Sequence, residues 1–184
     1  MSTIKPRVFH QKKQALQDVL PLDTPFSVHI DVCSLCNFKC TFCFQNDKKG
    51  MQESGVKWGM MDLDIFKSCV DDLAKFPQKI KKIKIGNHGE PTMHPQLPEM
   101  ISYARNSGVA ELIEIFTNGS KLSPSLNQKL VDSGLQRMNI SVEGLTASCL
   151  SSSARLSASR CAQISGIYAE FVSDPPDQLA AALP

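Results

Sequence analysis

The sequence lacks any apolar run approaching the 18 residues of a membrane-spanning helix. Met1 to His10 holds no apolar signal-peptide core. The expectation is a cytoplasmic protein with no membrane partner. A strong charge imbalance is absent too. The net charge of +2 is too small for a nucleic-acid footprint, so no nucleic-acid partner is expected. The composition also lacks the apolar poverty of a disordered chain: 42% of the 184 residues are hydrophobic and 21% charged. That suffices for one domain with a sizeable core. An even cysteine count is missing as well. The seven are Cys33, Cys36, Cys40, Cys43, Cys69, Cys149 and Cys161. An odd set without a signal peptide argues against a disulfide framework. Four of them lie between residues 33 and 43, and such a cluster in a reducing compartment argues for metal.

Lysine disappears late in the chain. Residues 1–144 hold 15 Lys and 3 Arg, whereas residues 145–184 hold no Lys and 2 Arg. The last 40 residues contain eight Ser and eight Ala, and Asp174-Pro175-Pro176 breaks what helical pattern exists. Three segments follow: a polar leader with a short helix (1–25), a core (26–145) and a Ser/Ala-rich tail (146–184). We expect the tail to be foreign to the core, as after a shift of reading frame. A genuine short variant is the alternative.

Within the core, apolar strands alternate with helices. Phe26–Cys33 alternates apolar residues on one side (Val28, Ile30, Val32), and Ile80–Gly86, Glu111–Thr117 and Gln136–Val142 read as three further strands. Asp62 is a plausible N-cap for a helix through Phe76, with Ile65, Phe66, Cys69, Val70 and Leu73 at helical spacing. A second helix, Pro95–Ser107, closes at Gly108, and a third opens at Ser123-Pro124. Asn46–Gly59 reads as a mobile loop. Lys79, Lys81, Lys82 and Lys84 read as a solvated edge. Alternating strands and helices predict right-handed βαβ units, hence an α/β fold with a parallel sheet of about four βα units.

The chemical signal is Cys36-Asn37-Phe38-Lys39-Cys40-Thr41-Phe42-Cys43, directly after the first strand. Thiolates are soft ligands suited to zinc or iron–sulfur clusters. Three thiols on a cube of four irons leave one iron open, the mark of a reactive site. With Cys33 included the spacing is two, three, two, and four thiols could hold structural zinc or a closed cluster. Zinc-ribbon pairs are separated more widely, and the ferredoxin run has other spacings. An open site of Cys36, Cys40 and Cys43 fits best, with Cys33 a small buried residue.

These residues resemble the signature of the radical S-adenosylmethionine superfamily, with Phe42 before the last cysteine. Three later segments match in order, each at a strand's end: Gly89-Glu90-Pro91 (within Asn87-His88-Gly89-Glu90), Thr117-Asn118-Gly119 and Ser141-Val142-Glu143-Gly144. The wording around Cys36 and Gly89 is closest to members carrying a C-terminal SPASM region. The resemblance covers about residues 26–145 and implies a partial parallel (β/α) barrel. It implies a 4Fe–4S cluster on Cys36, Cys40 and Cys43 that binds S-adenosylmethionine and cleaves it reductively to a 5′-deoxyadenosyl radical. It implies that Phe42 lies near the adenine, chiefly through its backbone. Gly89, Glu90 and Pro91 form a strand end offering carbonyls to the methionine ammonium, and Ser141 and Glu143 contact ribose or methionine. It further implies a low-potential electron donor, flavodoxin- or ferredoxin-like, and a substrate the sequence does not specify. The family's six-stranded barrel needs two more units than 40 residues supply. The alternative is therefore a truncated, non-catalytic iron–sulfur or zinc-binding protein.

Overall fold

The computed structural model describes residues 15–141. The Ser/Ala-rich tail, Glu143, Cys149 and Cys161 lie outside the described residues. Four strands, β1 (Ser27–Ile30), β2 (Ile80–Ile85), β3 (Ala110–Thr117) and β4 (Arg137–Ile140), form one sheet. Their order is β1-β2-β3-β4 and every pairing is parallel. The chain is thus an α/β protein in which, among the described residues, three strand–helix units and a fourth strand make part of a barrel. Among the described residues no helix is long and apolar enough to cross a membrane.

Local chemistry sets the helices. In α2 (Leu63–Leu73) the Asp62 carboxylate accepts from the Asp64 N–H at 2.8 Å, satisfying an otherwise orphaned donor. Phe66 and Val70, one turn apart, are fully buried. The apolar face is narrower than the spacing suggests, since Ile65 is exposed and Cys69 only half-buried. In α3 (Leu97–Ser107) the chain leaves the helix through Gly108 at φ 66°, a conformation side chains resist. α4 (Pro124–Asp132) starts at Ser123, whose Oγ accepts from the Leu126 N–H at 3.2 Å. The expected mobile loop at 46–59 instead contains a helix, α1 (Lys48–Glu53), with Met51 buried. Its cap is Asp47, whose carboxylate accepts from the Gly50 N–H at 3.1 Å. A Cβ on Gly50 would meet that carboxylate at 2.5 Å, so the glycine that suggests a loop is what lets the cap close.

Strand alternation sorts side chains onto two faces. Ile83, Ile85, Ile113 and Ile115 are fully buried and pack with Leu97, Ile101 and Leu130 of the helices. The opposite face carries His29, Lys82, Lys84, Glu114, Phe116, Arg137 and Asn139. The β2 lysines are therefore no solvated edge: β2 is paired on both sides. Lys81 meets Glu111 at 2.7 Å, Lys82 approaches Glu114 at 4.0 Å, and the Lys84 ammonium lies 5.5 Å from the Phe116 ring centre.

Ile113→Ala is expected to cost about 2–5 kcal/mol, because it leaves a cavity between sheet and helices. Ile65→Ala should stay within about 0.5 kcal/mol of the parent. Urea unfolding of the full chain measures both, and equal losses would mean that the buried face of α2 is misassigned.

Candidate metal and cofactor site

Beyond β1 the chain enters the cysteine loop. Cys33 is buried, bridges to Met60, and directs its Sγ at the Leu35 carbonyl at 3.5 Å. Burial pushes its thiol pKa up. Cys36, Cys40 and Cys43 are half-buried and line one cavity of about 810 Å³, together with Phe38, Trp58 and Met93. Cys33 is not on its wall. The Cys43 N–H donates to the Cys40 carbonyl at 3.1 Å, and Cys43 caps a 3-10 turn, Phe44–Asn46. Cys36 Sγ accepts from the Phe38 N–H at 3.4 Å and from the Asn118 side-chain amide at 3.8 Å. Burial raises the Cys36 thiol pKa, and the nearby Glu90 and Cys43 raise it further. The two hydrogen bonds pull it down, but by less.

The second strand end fastens this loop. Glu90 is 1% exposed, and its carboxylate accepts from the Thr92 N–H at 3.0 Å and from the Thr92 hydroxyl. It also accepts from the Thr117 hydroxyl and the Asn118 N–H, both at 2.6 Å. Charge-assisted bonds of this kind suit a buried carboxylate. Asn118 passes the constraint on: its amide donates to Asn37 Oδ1 at 3.1 Å, and Asn37 Nδ2 donates to Ser120 Oγ at 2.7 Å. The Glu90 N–H donates to the Leu35 carbonyl at 2.8 Å. One carboxylate thereby ties the ends of β2 and β3 to the cysteine loop.

Gly89 sits at φ +72°, and an added Cβ would meet the Cys33 carbonyl at 2.1 Å. Its close approach is to the chain's own backbone. A larger residue there would displace the cysteine loop before it could touch any ligand. Pro91 is buried, opens a 3-10 turn (Pro91–Met93), and packs where a Cβ on Gly86 would have to go. Phe42 is 63% exposed and does not line the cavity. Ser141 is exposed, and its N–H donates to the Thr117 carbonyl at 2.8 Å. Thr117 and Asn118, readable in sequence as turn residues, are parts of the site. The signal that could have found them is a polar pair ending a strand next to the one that ends at Gly89-Glu90.

Two histidines flank the glutamate. His94 is buried; its Nδ1 accepts from the Gln96 N–H at 3.1 Å, which fixes Nε2–H as the donor to the Met61 carbonyl at 2.9 Å. His88 Nδ1 lies 2.6 Å from the Asp31 carboxylate, and its ring meets the Phe44 ring edge-on at 5.0 Å. Burial acts to raise the Asp31 pKa, but N–H groups of Asn87 and His88, the His88 ring and its charge outweigh it, leaving the pKa lowered.

Fold and site together define a class: a parallel α/β barrel segment with three thiols beyond its strand ends, where ligands of such sheets bind. The chain belongs to the Radical SAM superfamily, whose family model matches residues 30–156. Members use a 4Fe–4S cluster and S-adenosylmethionine, together with a reductant and a substrate. The chain is 31% identical over 118 residues to the tungsten-containing aldehyde ferredoxin oxidoreductase cofactor-modifying protein of Pyrococcus furiosus, covering 64% of this chain and 31% of that one. It is 36% identical over 119 residues to a probable GTP 3′,8-cyclase of Methanococcus maripaludis, covering 65% of this chain and 37% of that one. The chain therefore spans about a third of the length of these relatives. Its fold matches the crystal structure of BtrN in complex with AdoMet and 2-DOIA, with TM-score 0.53, 23% identity and coverage of 63% of this chain and 45% of that one. It also matches native anSMEcpe with bound AdoMet and Cp18Cys peptide, with TM-score 0.52, 19% identity and coverage of 78% and 40%.

The donor chemistry fits an iron–sulfur cluster: three thiols, soft ligands of the kind such clusters take, line one cavity.

Two outcomes test the site. Glu90→Gln replaces an acceptor oxygen by a donor facing buried donors. It should cost about 1–3 kcal/mol and speed iodoacetamide labelling of Cys36, read by mass spectrometry. Because the folded pKa of Asp31 is depressed, its contribution is present above the unfolded value of about 3.9 and is lost as pH falls through the folded value. Asp31→Asn should therefore lower stability at pH 7 and converge with the parent only as pH falls through the depressed folded value, measured by urea unfolding across pH.

Proposed function

We propose that this chain is the cluster- and cofactor-binding part of a radical S-adenosylmethionine enzyme, with Cys36, Cys40 and Cys43 as the cluster ligands. The observation that carries this reading is the set of three thiols on one cavity wall, braced through Asn118 and Glu90. When bound, the cluster and S-adenosylmethionine supply an electron and a 5′-deoxyadenosyl radical that takes hydrogen from a substrate. The chain's own residues do the positioning. Asn118 orients Cys36 by its amide, and Glu90 holds Asn118. The backbone of Gly89, Glu90 and Pro91 offers carbonyls for the methionine ammonium. The Phe42 backbone serves the adenine, and Ser141 and Glu143 serve ribose or methionine. A low-potential flavodoxin- or ferredoxin-like donor is the partner this chemistry calls for, and a reducing, cytoplasmic setting keeps the thiols available. The wording around Cys36 and Gly89 supports a SPASM-type member. We take residues 26–145 as the core, with the family match ending inside the segment read as a tail.

Anaerobic reconstitution of the full chain tests the ligand set. Cys36→Ala, Cys40→Ala and Cys43→Ala should each lose most bound iron and sulfide, while Cys33→Ala retains them. Equal loss with Cys33→Ala would indicate a closed four-thiolate site. S-adenosylmethionine should perturb the reduced cluster's electron paramagnetic resonance spectrum, and dithionite should then release 5′-deoxyadenosine. An intact cluster whose spectrum ignores the cofactor would overturn the reading.

A further inference from the structure

Sheet register sets one row of polar and ionisable side chains across all four strands. His29 pairs with Lys84, Lys84 with Glu114, and Glu114 with Arg137. All four occupy the face turned away from the helices. Barrel layers at this position are ordinarily filled by branched apolar residues packed on one another. Here the layer is polar instead: Glu114 is buried among its partners, while Lys84 is half-buried and Arg137 half-exposed on the same face. It lies below the strand ends, since Lys84 precedes Gly86 and Glu114 stands three residues before Thr117. The thiols stand beyond those ends.

The charges in the row do not cancel. Glu114, with its side chain 4% exposed, receives Arg137 Nη1 and Asn139 Nδ2 at 3.4 Å each and has Lys82 at 4.0 Å. Its negative charge is met by those neighbours. Lys84 is half-buried over the Phe116 ring and makes no ion pair among the described residues. Arg137, 53% exposed, keeps donors beyond the one given to Glu114. Lys84 and Arg137 in the row, with Lys82 one layer below it, are three cations against the one carboxylate of Glu114, an excess of two positive charges among the described residues of these two layers. Asp31, one layer nearer the strand ends, is committed to Asn87 and His88. A half-buried ammonium with no counter-charge is stabilised by an anion that shares its space.

We propose that this row binds an anionic group of the substrate, a carboxylate or phosphate, through Lys84 and Arg137, with Glu114 holding the guanidinium in place. The inference rests on the proposed radical chemistry only in calling the anion a substrate group. The same chemistry could be met by the cofactor's methionine carboxylate, and the test separates the two.

The probe is inorganic phosphate, titrated into the full, metal-free chain at low salt and followed by phosphorus NMR linewidth. Saturable binding is expected. Lys84→Gln and Arg137→Gln should each weaken it by about fivefold or more, the loss of one charge-assisted bond. Lys84→Arg should retain it. Lys75→Gln, which removes a cation paired with Asp72 at 2.6 Å on the exposed side beyond α2, should leave it unchanged. Circular dichroism checks that each variant is folded; should Lys84→Gln unfold, Lys84→Arg and Arg137→Gln carry the comparison. Methionine should not displace phosphate. Absence of saturable binding, an equal response to Lys75→Gln, or displacement by methionine would each overturn the proposal. The last would assign the row to the cofactor. Failure of the cluster reading shows instead in iron and sulfide content, which this titration does not use.

Discussion

A carboxylate held at 1% exposure is tolerable only when donors surround it, and at Glu90 those donors come from two different strand ends. Its side chain binds Thr92 on its own loop and Thr117 and Asn118 at the end of β3. Its backbone N–H binds Leu35 in the cysteine loop. Glu90 ties the position of the thiols to two strand ends at once, beside the tethers that Cys33, Ser34, Asn37 and Gln45 supply along the loop. The apolar core beneath is ordinary: isoleucines of β2 and β3 against α3 and α4. It sets the strands parallel, and Glu90 converts their ends into a platform.

The fold was legible because its determinants are local. Strand isoleucines and valines, the Ser123-Pro124 start and the Gly108 stop each act within a few residues. The three cysteines of the cavity wall were legible for the same reason. Glu90 was harder to read. Its partner Thr117 is 27 residues away, and nothing in Gly89-Glu90-Pro91 says whether the side chain or the backbone is the working part. The Lys84 row needed register, which no single strand contains. Helix α1 was hidden by its own composition, since Lys48, Lys49 and Gly50 look like a loop until Asp47 caps them.

The two faces of the sheet divide the labour between stability and chemistry. The helix-facing side is dry and apolar, and the far side mixes Lys82, Lys84, Glu114 and Arg137 with Phe116. Buried ion pairs contribute little net stability when weighed against apolar packing. Placing them on the open face keeps that desolvation cost partial. It also leaves residues on that face able to change with less penalty than the isoleucines behind them.

The contact between Gly89 and Cys33 carries a consequence for how the chain can vary in length. The Cys33–Leu35 backbone is pressed against Gly89 and bonded to Glu90, so one residue added or removed on either side shifts the thiols out of line with β2. The segment between Gln45 and Gly59 is different. Its two ends are pinned, Gln45 to Gly89 and to the Ser34 carbonyl, and Gly59 to Ser34. Exposed residues between those pins can be exchanged while the cysteine frame stays where it is, whereas Trp58 shapes the cavity wall and Met51 packs inward.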